Sequence, residues 1–119
     1  MCIRDSFYKA SDIMPDFDDA TSPVTAMEFV TGSLTADPDP RTIAAEELLH
    51  VAESIMMTAN TPYLKLIDLL NQGYTLVDVT PEEVIVEFRV LDTFDPNAQA
   101  STFARFRVVA GRPGIEVLT

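Results

Sequence analysis

The chain has 119 residues, 47% of them hydrophobic, and carries 19 acidic against 8 basic side chains for a formal charge of −11. That length holds one domain at most, and no apolar run approaches the roughly 18 residues of a membrane-spanning helix. The acidic balance repels phosphate backbones and argues against nucleic acid as a partner, while the lone Cys2 cannot form an internal disulfide.

Residues 1–23 show little apolar periodicity, and Pro15, Pro23 and the cluster Asp16, Asp18, Asp19 read as an irregular surface segment. The run from Val24 to Val30 is apolar on both faces except at Glu28, the pattern of a strand buried inside a larger sheet. Its second covering layer has to come from elsewhere. Gly32 ends this strand, and Asp37-Pro38-Asp39-Pro40 forces an extended loop. Ala44, Leu48, Val51, Ala52 and Ile55 then recur at helical spacing, which predicts an amphipathic helix from about Arg41 to Met57 with one face against a sheet.

Tyr63 to Leu70 is apolar enough for either a helix or a strand; as a helix it would be capped by Asn60 or Thr61, with Pro62 in its first turn. Thr75 to Val79 and Val84 to Leu91 read as two strands joined by a tight turn at Thr80-Pro81-Glu82-Glu83. In the second of them Val84, Val86, Phe88 and Val90 face the core while Glu87 and Arg89 face water, the alternation of a half-buried antiparallel sheet. Residues 102–109 repeat it, with Ala104, Phe106 and Val108 inward, and Arg105 or Arg107 placed to pair with Glu87. Gly111-Arg112-Pro113-Gly114 closes this strand before a short tail.

Chemistry is sparse. His50 is the only histidine and lies on the predicted helix with Glu46 and Glu53 one turn to either side, a set best read as helix-face charges. An EF-hand loop beginning at Asp16 would need glycine at its sixth position and glutamate at its twelfth, where the chain has Thr21 and Met27. The four glycines are scattered, so no phosphate cradle forms, and Thr31, Ser33 and Thr35 are a hydroxyl-rich loop at a strand end. No catalytic residue, metal site or cofactor site is expected within this chain.

Specific strings carry a resemblance. Asp16-Phe17-Asp18-Asp19, Ser22-Pro23-Val24 and Glu28-Phe29-Val30-Thr31-Gly32-Ser33-Leu34-Thr35 are similar to the C-terminal part of the alkaline phosphatase D (PhoD-like) family. In the same order follow Pro62-Tyr63-Leu64-Lys65, Gly73-Tyr74, Val77-Asp78-Val79-Thr80-Pro81-Glu82, Phe88-Arg89-Val90-Leu91-Asp92-Thr93, Ala104-Arg105-Phe106-Arg107-Val108 and Ala110-Gly111-Arg112-Pro113-Gly114. The resemblance runs from about Phe7 to Thr119.

It implies an α+β fold, the C-terminal fragment of a two-sheet α/β/β/α metallophosphatase sandwich, mostly antiparallel with one or two helices. It further implies a parent that hydrolyses phosphate monoesters or diesters with divalent or trivalent metal ions, calcium and iron, and that is periplasmic or extracellular. The family's Gly-Asp-x-His metal motif normally precedes the segment that begins here at Phe7. In its place stands Met1-Cys2-Ile3-Arg4-Asp5-Ser6, which has no signal-peptide character and resembles a translated sequencing-adapter scar heading an environmental reading frame.

The implied domain is therefore residues 7–119 behind a non-native leader, inactive alone, with the missing N-terminal part of its own domain as partner and a phosphate ester as the parent's substrate. Where the family commonly has Asn-Pro-His, this chain reads Asn60-Thr61-Pro62-Tyr63, so that Asn60, Tyr63 and Lys65 are the candidate residues of an active-site rim. The rival reading is a free-standing β-rich interaction module without enzymatic activity.

Overall fold

The computed structural model describes residues 7–34 and 46–118. Among the described residues seven strands and a helix follow one another: β1 (Tyr8–Ile13), β2 (Ala26–Val30), α1 (Glu46–Ala59), β3 (Leu64–Asp68), β4 (Gly73–Val79), β5 (Glu83–Val90), β6 (Ser101–Val109) and β7 (Arg112–Val117). They form a three-stranded sheet of order β2-β1-β3 and a four-stranded sheet of order β4-β5-β6-β7, every pairing antiparallel.

The four-stranded sheet follows directly from its sequence. Val86 opposes Phe106 and Phe88 opposes Ala104 across the β5–β6 register, and all four side chains are buried. Alternation puts Glu87 on the other face, directly opposite Arg105, with the carboxylate 3.0 Å from the guanidinium. Arg107 turns instead to Glu116 on β7, at 2.6 Å. In the β4–β5 turn the Thr80 amide donates to the Glu83 carbonyl at 2.9 Å. The β6–β7 turn uses Gly111, whose φ of 75° lies in the left-handed region that side chains disfavour. The expected short tail is thus a seventh strand, held because its Ile115 enters the core and its Glu116 binds Arg107.

The sheets meet face to face through aromatic rings. Phe88 lies 4.8 Å from Tyr8 and 5.1 Å from Phe106, and Phe29 of β2 reaches both Phe88 and Phe106, at 6.3 and 5.7 Å. Ala10, Val86, Ala104 and Ile115 complete the cluster, with Met27, Phe29 and Leu66 packed on it from the smaller sheet.

Three expectations change here. Residues 7–23 are not wholly irregular, because Tyr8–Ile13 forms the central strand of the smaller sheet and is its most buried element. A register shift between Ala10 and Ser11 breaks the two-residue period, which buries Ala10, Ser11 and Asp12 in succession and hides the strand from a pattern search. β2 is an edge strand, half-buried rather than sandwiched, since only Met27 and Phe29 face the core.

Of Tyr63–Leu70, left open between helix and strand, Leu64–Asp68 forms the strand β3, and Asn60 and Thr61 cap no following helix. Their side chains donate back to the Met56 and Met57 carbonyls, at 2.7 and 2.9 Å, and close the C-terminus of α1.

The helix also faces otherwise than expected. Its predicted start lies outside the described residues. Over Glu46–Ala59 no residue is buried, and of the predicted apolar stripe Leu48, Val51 and Ile55 point to solvent, Ala52 is half-buried and Ala44 lies outside the described residues. The half-buried residues of the helix are Leu49, Ala52, Glu53 and Met57, and the Glu53 carboxylate accepts the Leu69 amide at 2.8 Å.

Candidate functional site

The smaller sheet, Phe17 and α1 with the turn after it border an open cavity of about 450 Å³ whose walls include Lys9, Ser11, Asp12, Met56, Asn60 and Tyr63. Its floor comes from β1, so the residues of the misread strand are the ones that shape it.

Asp12 is the centre of its polar network. The side chain is buried, yet one oxygen accepts the Ile115 amide at 2.9 Å and the other lies 3.2 Å from the Lys65 ammonium. A buried carboxylate is tolerable only with such partners. Lys65 also donates to the Pro62 carbonyl at 2.9 Å, so Asp12 and Lys65 together hold the turn that carries Asn60 and Tyr63. At the other side Lys9 donates to Glu28 at 2.5 Å and Ser11 to the same oxygen at 3.2 Å. The hydrogen bond from Lys9 holds the Glu28 carboxyl below its ordinary range.

The residues expected at a rim divide accordingly. Asn60 and Tyr63 share the cavity wall, whereas Lys65 reaches it only through Asp12. Tyr63 does not present a free phenolic donor, because its hydroxyl donates to the Phe17 carbonyl at 3.2 Å and its ring meets Phe17 edge-on at 5.1 Å. Asp12 and Ser11 were missed by sequence reasoning. Their signal, two polar residues in a short segment flanked by Ala10 and Ile13, is indistinguishable from a surface loop until the partner Ile115, 103 positions away, is known.

Other polar groups are engaged structurally. Asp16 accepts the Asp18 amide, and Asp19 accepts the amide and hydroxyl of Thr21, so the acidic cluster folds into local turns. Thr31 and Thr75 share a hydroxyl hydrogen bond of 2.7 Å that ties β2 to β4, Ser33 is buried, and Thr35 lies outside the described residues. Asp68 accepts the Leu70 and Asn71 amides. Arg112 pairs with Glu116 at 2.9 Å. His50 is exposed on α1 with its Nδ1 3.0 Å from Glu53.

Among the described residues no three His, Cys, Asp or Glu side chains converge as a metal site would require. The donors among the described residues therefore do not fit a metal centre. No helix among the described residues is long and apolar enough to cross a membrane.

The family model of PhoD-like phosphatases matches residues 6–88. The chain belongs to the PhoD-like phosphatase family. The solved structure of PhoD superposes with a TM-score of 0.75 at 21% identity, over 97% of this chain and 21% of that one. At that identity the likeness bears on the fold, and it agrees with an α+β arrangement of two mostly antiparallel sheets. The chain spans about a fifth of the length of the PhoD structure it matches. A search of the curated proteins returns no match.

Proposed function

We propose that this chain is the C-terminal structural portion of an exported, metal-dependent phosphatase or phosphodiesterase, and that it supplies sheet and helix to the domain while residues elsewhere in the parent hold the metal ions. The observation that carries the reading is the pairing of the family match over residues 6–88 with a described surface on which no metal-ligand group assembles. Hydrolysis of a phosphate ester by this kind of chemistry needs cations to polarise the ester and lower the pKa of a bound water. On this reading the chain alone is inactive, and its partner is the rest of its own domain.

Asn60 and Tyr63 border the pocket of the assembled enzyme, with Lys65 fixing their turn through Asp12. A location in the periplasm or outside the cell, and calcium and iron as the metals, follow from the family resemblance alone.

The test is hydrolysis of p-nitrophenyl phosphate and bis(p-nitrophenyl) phosphate by the isolated chain, titrated with calcium and iron. No turnover above the protein-free rate is expected. Metal-dependent turnover by these 119 residues would show that the ligands are present after all.

A further inference from the structure

We infer that the Leu48, Val51 and Ile55 stripe of α1 is a docking face, and that its occupant is the remainder of the PhoD-like domain. This rests on the reading proposed above and names the surface through which it works. The three side chains are 60, 54 and 63% exposed, on a helix of 14 residues with none buried. Spaced at i, i+3 and i+7 they form one continuous apolar row.

The row is not outward by a loose rotation of the helix. Glu53 fixes one side of α1 to the Leu69 amide, and Asn60 and Thr61 close its C-terminus, so the opposite side is held away from the sheet. The size of the matched structure chooses the occupant: it carries roughly five times the chain seen here, so ample protein of the same fold exists to cover the row. The complementary surface is then apolar.

Thiol protection tests this. In a Cys2→Ser background, Ile55→Cys and, as a reference, Val77→Cys on β4, itself 58% exposed, are made in two settings. One is the free chain; the other is a chimera in which residues 7–118 replace the matched segment of PhoD. Reaction with a maleimide is expected to be at least tenfold slower at Ile55→Cys in the chimera than in the free chain, with the reference changing less than threefold. Equal rates at Ile55→Cys in a chimera that hydrolyses phosphate esters would overturn the inference and leave the proposed function standing. A chimera without hydrolysis counts against the proposed function itself. Slowing in the free chain that grows with its concentration would assign the row to a second copy and overturn the inference as well.

Discussion

Asp12 and Ile115, 103 residues apart, are joined by a 2.9 Å hydrogen bond from the Ile115 amide to the buried carboxylate, which fastens the last strand of the larger sheet to the middle strand of the smaller one. Apolar packing holds the two sheets together, while this bond, with the Lys65 ion pair, sets where β7 sits along β1.

Asp12→Leu removes both interactions, leaving the buried Ile115 amide without an acceptor and the Lys65 ammonium with only the Pro62 carbonyl. A loss of about 3–5 kcal/mol is expected from urea unfolding. Asp12→Asn keeps an acceptor for Ile115 and loses only the charge, for about 1–2 kcal/mol. Equal losses in the two variants would show that the carboxylate charge, rather than the hydrogen bond, holds β7.

Gly73 is expected to tolerate no side chain. A Cβ there would stand 1.8 Å from the Arg89 carbonyl oxygen and 2.6 Å from the Tyr8 hydroxyl, and backbone cannot yield as a flexible side chain can. Gly73→Ala should cost more than about 2 kcal/mol in thermal or urea unfolding. Gly111 meets nothing within 4 Å, so Gly111→Ala carries only the strain of φ 75°, about 1 kcal/mol, and Gly111→Asn less.

Tyr8 links stability to alkaline pH. Burial, with the charge of Asp68 and then Tyr74 adding to it, pushes its phenol up to about 12. The unfolded chain releases this proton near the ordinary value of about 10. Stability is therefore intact below about pH 10 and declines as pH rises toward 12, by about 2–3 kcal/mol for this one group. Tyr8→Phe, which also strands the Arg89 carbonyl that the phenol donates to, should be less stable at pH 7 and show a shallower alkaline decline. Parallel declines in both proteins between pH 9 and 11 would remove Tyr8 from this role.

Glu87 and Arg105, directly opposed at 3.0 Å on the solvent face, are expected to couple weakly. A double-mutant cycle with Glu87→Gln and Arg105→Gln should give about 0.2–1 kcal/mol, falling in 1 M salt.

What sequence made readable was periodicity with one buried face. Val86, Phe88, Ala104 and Phe106 alternate with charged neighbours, which fixes the inward faces of β5 and β6, while the choice of Arg105 over Arg107 opposite Glu87 came only with the register. β1 was unreadable because its bulge buries Ser11 and Asp12, residues that look solvent-seeking until their distant partners are placed. The apolar row of α1 was readable as a row, but periodicity does not say which neighbour a row meets, and the long-range bond of Glu53 to Leu69 decided the helix's facing. At the candidate site Asn60 and Tyr63 came through the family resemblance, whereas Asp12, which organises them through Lys65, had no local signature.

The central claim is that these residues complete a phosphatase without supplying its metal ligands. Its most direct measurement is the metal-dependent hydrolysis of bis(p-nitrophenyl) phosphate by the chimera in which residues 7–118 replace the matched segment of PhoD. Turnover within about tenfold of the parent, lost on chelation, is the predicted result, since about 1.4 kcal/mol of mismatch at the new boundary corresponds to one factor of ten. A folded, metal-loaded chimera with no turnover would contradict the account.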